Sequence, residues 1–193
     1  MKLLKNEKGK YCYIKKQRVF EIIKTVLMFG CAIAIYLIGF ITLGTNKNIW
    51  TIIAVLSILP AAKSAVSMIM FFRFNSISED LFLDIEKSRG NVPAIYELVF
   101  TTSERAYYVP SCACCENTII MLYEKNGKKD LSKDLRDHLI ASIDREGLKG
   151  YSLKIYTKKE DYINRLTEMN LNLNSTDDMS STYVFALFKA ITI

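Results

Sequence analysis

The sequence predicts a two-helix transmembrane hairpin joined to a cytoplasmic α+β domain built as helix, three strands, helix, strand and helices. Three observations predict it. Thr25–Leu43 runs for nineteen residues without a charge, and Ile49–Phe72 is apolar apart from Lys63. At ~1.5 Å per residue, either stretch is long enough to cross a hydrocarbon core ~30 Å thick. Only Gly44–Asn48 separates them, so the two helices are antiparallel neighbours. Beyond residue 72 the pattern changes to short β-branched runs alternating with charged, amphipathic stretches. The chain therefore divides into a basic cytoplasmic segment 1–19, a hairpin 20–72 with spans 25–43 and 49–72, and a domain 73–193.

Charge sets the expected orientation. The net charge is +6, and residues 1–19 hold seven basic side chains (Lys2, Lys5, Lys8, Lys10, Lys15, Lys16, Arg18) against Glu7 alone. The connecting loop offers only Lys47. Lysine and arginine accumulate on the cytoplasmic side of short flanks, so both termini belong in the cytoplasm. The basic stretch is too long, and the second span too close, for a cleaved signal peptide. The same seven cations would be drawn to anionic lipid headgroups, at ~1 kcal/mol per residue near the surface. Residues 73–193 carry sixteen basic and eighteen acidic side chains. A domain without a basic excess argues against nucleic acid as a partner.

Within the hairpin, Gly30 and Ala34, and Ala61 and Ala65, have the small-xxx-small spacing that lets helices approach closely. Trp50 marks the outer boundary, and Tyr11, Tyr13 and Phe20 the inner one. Pro60 removes a backbone donor and should kink the second helix. Lys63 lies ~12 Å from the inner end at helical rise. Buried lysines in membranes are functional candidates, but its four-carbon stem can also snorkel to the headgroups.

The domain opens with Ser78, an N-cap whose helix begins with Glu79-Asp80 and closes at Gly90. Asn91-Val92-Pro93 should restart a helical turn running into Tyr96. Leu98–Thr102, Arg105–Val109 and Thr118–Glu124 are β-branched or aromatic and read as strands, with Pro110 limiting the second and Asn126-Gly127 ending the third. Asp130–Glu146 has apolar residues at helical spacing and ends at Gly147. Tyr151–Thr157 alternates as a fourth strand. Lys158–Met169 reads as a helix, and Ser180–Ile193 as an apolar helix or strand, the helix favoured with Ser181 as its cap; the polar stretch Asn170–Asp178 lies between them.

Cys112-Ala113-Cys114-Cys115 is the most chemically suggestive motif. Thiolates bind zinc or iron–sulfur clusters, so Cys112, Cys114 and Cys115 are the candidate metal ligands. A closed site needs a fourth ligand, and the usual spacing places two residues between paired cysteines. The single histidine, His138, sits beside Asp137 on a charged helix face. The alternative is that these thiols are small residues of a strand end or bulge, with vicinal Cys114-Cys115 as a redox pair. Five cysteines in a reducing compartment do not form a disulfide framework.

The order helix, three strands, helix, strand, helix over Ser78–Met169 resembles the core of the restriction-endonuclease-like superfold. That resemblance implies a metal held by an acid near the second strand and an acid-x-lysine triplet on the third. Glu104 stands near the first position. The third strand ends Glu124-Lys125, adjacent residues that point to opposite faces, so the triplet is missing. No phosphate-binding glycine loop, G-x-S-x-G or H-E-x-x-H occurs. The whole chain is also similar to bacterial two-pass proteins with a basic N-terminus and a small cytoplasmic α/β domain. This similarity implies the bacterial plasma membrane and no particular activity.

These observations predict a membrane-anchored interaction or scaffolding domain with no catalytic residues and no cofactor. Its expected partners are the bilayer and a second copy or another membrane protein. A divergent nuclease-like metal-dependent enzyme is the alternative, and a cysteine-based metal or redox sensor the second alternative.

Overall fold

A computed structural model describes residues 8–45, 48–102, 105–124, 132–148, 150–172 and 179–193. The chain forms two compact units. One comprises residues 14–75, and the other joins the N-terminal segment through Tyr13 to residues 76–193.

The first unit is helical. α1 (Tyr13–Leu43) and α2 (Ile49–Phe72) are both long and apolar enough to cross a membrane. Only 11% and 17% of their apolar windows are buried, which distinguishes them from the core helices of a soluble domain. Ile41 and Leu59 are 79% and 69% exposed. Asn48 caps α2, its side chain accepting from Thr51 N at 2.8 Å. Pro60 lies inside α2, which continues on both sides of it.

The contact between these helices follows a heptad seam. Buried or half-buried positions recur at Thr25, Met28, Ala32, Ile35 and Gly39 on α1. On α2 they recur at Ala54, Ser57, Ala61, Ser64, Met68 and Phe71. Alternating steps of three and four are the seam of a left-handed helix pair. The Thr25 and Ser64 hydroxyls meet at 2.9 Å. In the same register, a Cβ at Gly39 would lie 2.3 Å from the Trp50 Cβ, so only glycine permits this approach. Gly30 and Ala34, expected at the contact, are exposed instead; the packing uses small residues seven apart (Ala32/Gly39, Ala54/Ala61) rather than four. On a background free of native cysteines, Thr25→Cys with Ser64→Cys should crosslink under mild oxidation. Val26→Cys with Ser64→Cys should not, because Val26 is 66% exposed on the far side of α1.

The second unit is a mixed sheet between two helical layers. α3 (Glu79–Arg89) precedes β1 (Ala94–Thr101), β2 (Ala106–Cys115) and β3 (Thr118–Leu122). After these come α4 (Ser132–Arg145), β4 (Ser152–Tyr156), α5 (Lys159–Leu171) and α6 (Met179–Ile191). The sheet order is β1-β2-β3-β4. The first three strands form an antiparallel meander, and β4 is parallel to β3 after the α4 crossover. Leu135, Leu139 and Ile143 of α4, with Val184 and Phe188 of α6, pack on one face. Ile85 of α3, with Tyr162, Leu166 and Met169 of α5, packs on the other.

Several local features match the sequence expectation and three differ, the first being Ser181, which lies inside α6 rather than capping it. Ser78 caps α3 through Leu81 N, and Gly90 ends it with φ 51°. Residues 94–96, however, are strand rather than helical turn, paired in register with Cys112 and its neighbours. Pro110 lies inside β2, not at its end. Asn126-Gly127 and the polar stretch from residue 173 to 178 lie outside the described residues.

The outer edge of β1 is closed by both ends of the chain. Gly9 O accepts from Tyr96 N at 2.9 Å, and Ile193 N donates to Val99 O at 3.2 Å. Lys8 Nζ donates to Thr192 O at 2.6 Å and reaches Lys189 O, near the carbonyl end of α6 where a cation is favoured. Tyr11 stacks on Phe82, which meets Tyr96 edge-on. Part of the basic segment is thus structural.

Candidate functional site

A paired irregularity interrupts the β1–β2 ladder. Glu97 has φ 53°, the left-handed region that side chains other than glycine seldom adopt. The β1–β2 register runs from Tyr96↔Ser111 directly to Leu98↔Val109, passing over Glu97 and Pro110. Pro110 has no N–H to give to a ladder. Ile95 and Leu98 are three residues apart, yet both join the cluster facing α4 and α6; so do Val109 and Cys112. Residues three apart on a regular strand face opposite ways. Both strands therefore change phase at the same place without losing register.

The buried Glu97 carboxylate is held at the start of the domain. It accepts from the Ser76 hydroxyl and from Ile77 N at 3.1 Å, just before the Ser78 cap of α3. Its charge reaches Tyr108, whose hydroxyl is raised well above the usual range, first by burial and then by Glu97 and Glu124. Nearby, Tyr96 donates to Glu86, which also pairs with Arg89 at 2.8 Å. Burial alone would raise Glu86, but the bonds from Arg89 and Tyr96, with the Arg89 charge, leave it below its ordinary value.

The cysteine motif is spread over both faces of β2. Cys112 and Cys114 are fully buried in the cluster under α4 and α6, opposite Met121 and Ile119. Burial pushes the Cys112 thiol up, against ionisation. Cys115 faces the other way, half-buried in a small pocket with Arg165 and Asn172. Its sulfur cannot converge with the other two. Among the described residues no group of three or more His, Cys, Asp or Glu side chains is placed to hold a metal ion. On a background lacking Cys12 and Cys31, a thiol reagent should therefore modify Cys115 first. Cys112 and Cys114 should react only as the domain unfolds.

The remaining sequence candidates are dispersed. His138 is half-buried on α4, with no ligating neighbour among the described residues. Glu124 is exposed just past β3, while Glu104 and Lys125 lie outside the described residues. Lys63 is exposed on α2. Of the seven basic residues, Lys2 and Lys5 lie outside the described residues, Lys8 is used internally, Lys10, Lys15 and Lys16 are exposed, and Arg18 is half-buried, donating to Phe74 O over the Phe72 ring.

The feature that sequence reasoning missed is the other edge of the sheet. A groove of about 370 Å³ lies along β4, lined by Ser132, Lys133 and Arg136 of α4 and by the whole of the strand. Ser152 N donates to Asn117 O and Tyr156 O accepts from Tyr123 N, so these residues turn their backbone toward β3. Leu153 and Ile155, in alternation, turn theirs outward. No hydrogen bond among the described residues uses those groups. The order of elements offered a signal, since the last strand after a crossover helix commonly forms an edge.

No family model, curated protein or solved structure matches this chain.

Proposed function

We propose that this is an integral two-pass membrane protein that holds an α/β interaction or scaffolding module at the inner face of a bacterial plasma membrane. The observation that carries the reading is the strap Lys8–Cys12. It precedes α1, yet it hydrogen-bonds to β1 and α6 of the domain that follows α2. A chain whose two flanks fold into one unit has both flanks on one side, which requires an even number of crossings. The basic character of the N-terminal flank makes that side cytoplasmic. Exposed Lys15, Lys16 and Arg73 are available to anionic headgroups.

Cysteine labelling in intact cells tests this, on a background free of native cysteines. An impermeant maleimide should modify Thr45→Cys and spare Tyr183→Cys until the cells are opened. The reverse pattern would overturn the orientation, and equal protection of both would overturn the hairpin.

A further inference from the structure

The two edges of the sheet are treated differently. β1 is closed by Gly9 and by the Thr192–Ile193 segment. β4 is left with the N–H and C=O groups of Leu153 and Ile155 directed outward, along a groove whose lining, among the described residues, contains Lys133, Arg136 and Lys154 and no carboxylate. We propose that the β4 edge binds an extended acidic segment of a partner protein, added to the sheet as a fifth strand. The proposal rests on the reading of the domain as an interaction module and names the chemistry of its partner.

Two arguments select this occupant. An extended peptide supplies alternating donors and acceptors at the spacing of the exposed edge, which is how strand addition gains affinity. Its side chains alternate between faces. One set would meet Lys133 and Arg136 on the α4 side. The other would meet Lys154, which faces away from the core cluster that holds Leu153. Acidic residues on either face of the incoming strand therefore find a cation.

The same charges disfavour the other occupants. A second copy would bring its own Lys154 to this edge, and like charges opposite one another are destabilising. A phosphodiester chain suits the cations but presents acceptors to the Leu153 and Ile155 carbonyls.

Full-length protein in detergent micelles is to be titrated, by fluorescence anisotropy, with a labelled octapeptide of alternating glutamate and valine. Binding is expected, and it should weaken with salt. Reversing the peptide charge to lysine, or methylating its alternate backbone nitrogens, should weaken binding about tenfold or more. The double variant Arg136→Glu/Lys154→Glu should lose the glutamate peptide and gain the lysine peptide. That exchange also shows that the variant is folded. Equal binding of the N-methylated peptide, or indifference to the double variant, overturns the proposal. So does an octathymidylate that binds in place of the peptide.

Photocrosslinkers at Lys154 and at Asp84 of α3, introduced in native membranes, separate the two levels of inference. Protein adducts from Asp84 with none from Lys154 overturn the β4 proposal and leave the module reading standing. Adducts from neither position remove both.

Discussion

Glycine at position 97 is expected to be tolerated better than alanine, the reverse of the order in an ordinary strand. Replacing Glu97 by alanine removes the acceptor of Ile77 N and of the Ser76 hydroxyl. A buried donor left without a partner costs ~1–3 kcal/mol. Alanine keeps the left-handed conformation as glutamate does, so its ~1–2 kcal/mol cost to an L-residue is the same in parent and variant. Glycine loses the same bonds but adopts φ 53° freely. Its own entropic disadvantage in a strand is only ~0.5–1 kcal/mol. The alanine variant should therefore lose ~1–3 kcal/mol through the unpartnered donors, and the glycine variant ~0.5–1 kcal/mol less because it alone relieves the left-handed strain. Glutamine keeps one acceptor oxygen and should fall nearer the parent. Urea unfolding of the full chain, followed by tyrosine near-UV circular dichroism, measures all three. A glycine variant weaker than the alanine variant would mean that residue 97 is not held in this conformation.

The same position shows why some of the fold was legible in the sequence and some was not. Periodicity is local, and it identified both membrane-length helices, Ser78 as a cap, Gly90 as a stop, four strands and the helical character of residues 179–191. Glu97 and Pro110 broke the pattern. An acid in Ile95-Tyr96-Glu97-Leu98 and a proline before Ser111-Cys112 read naturally as boundaries, so the first strand is expected to begin after Glu97 and the second to stop before Pro110. The strands continue because the two irregularities lie opposite one another, and a cross-strand coincidence has no local signature.

Contacts between distant parts of the chain were equally hidden. The basic N-terminal segment reads as a topology signal because charge is visible in sequence. That Gly9 accepts from Tyr96 and Lys8 reaches Thr192 depends on where the ends of the chain meet. The cysteine motif misleads for a related reason. Four consecutive residues look clustered on paper, but a strand sends Cys114 and Cys115 to opposite faces. Which edge stays open is likewise fixed by topology, so the β4 groove appears only once the sheet order is known.

In alkali the α/β unit should unfold while the hairpin remains in the membrane. Three tyrosines of this unit have hydroxyls raised well above the ordinary range. Burial is the leading cause for each, joined by the Glu86 carboxylate at Tyr96 and by Glu97 and Glu124 at Tyr108. Tyr162 is fully buried against Ser111, whose hydrogen bond only partly offsets the burial. A raised folded value means that the native state holds its protons longer than the unfolded chain does. The associated stability is complete below the unfolded value near ~10, and is lost as pH climbs toward the folded values. Each group costs ~1.4 kcal/mol per pH unit above that point, so three cost about 4 kcal/mol by pH 11. Cys112, also raised by burial, adds to the loss from about pH 8.5 upward. This is comparable with the ~5–15 kcal/mol that holds a small domain together. The hairpin contains Trp50, the sole tryptophan, and Tyr36 alone of the eleven tyrosines. Tyrosinate absorbance therefore reports the domain, and Trp50 fluorescence reports the hairpin. In alkaline carbonate at pH 11, tyrosines should ionise cooperatively as near-UV dichroism is lost, with Trp50 emission unchanged and the protein still sedimenting with the membrane. Simple titration near pH 10 with retained dichroism would show that these tyrosines are not buried. Release of the chain into the supernatant would show that α1 and α2 do not span the bilayer.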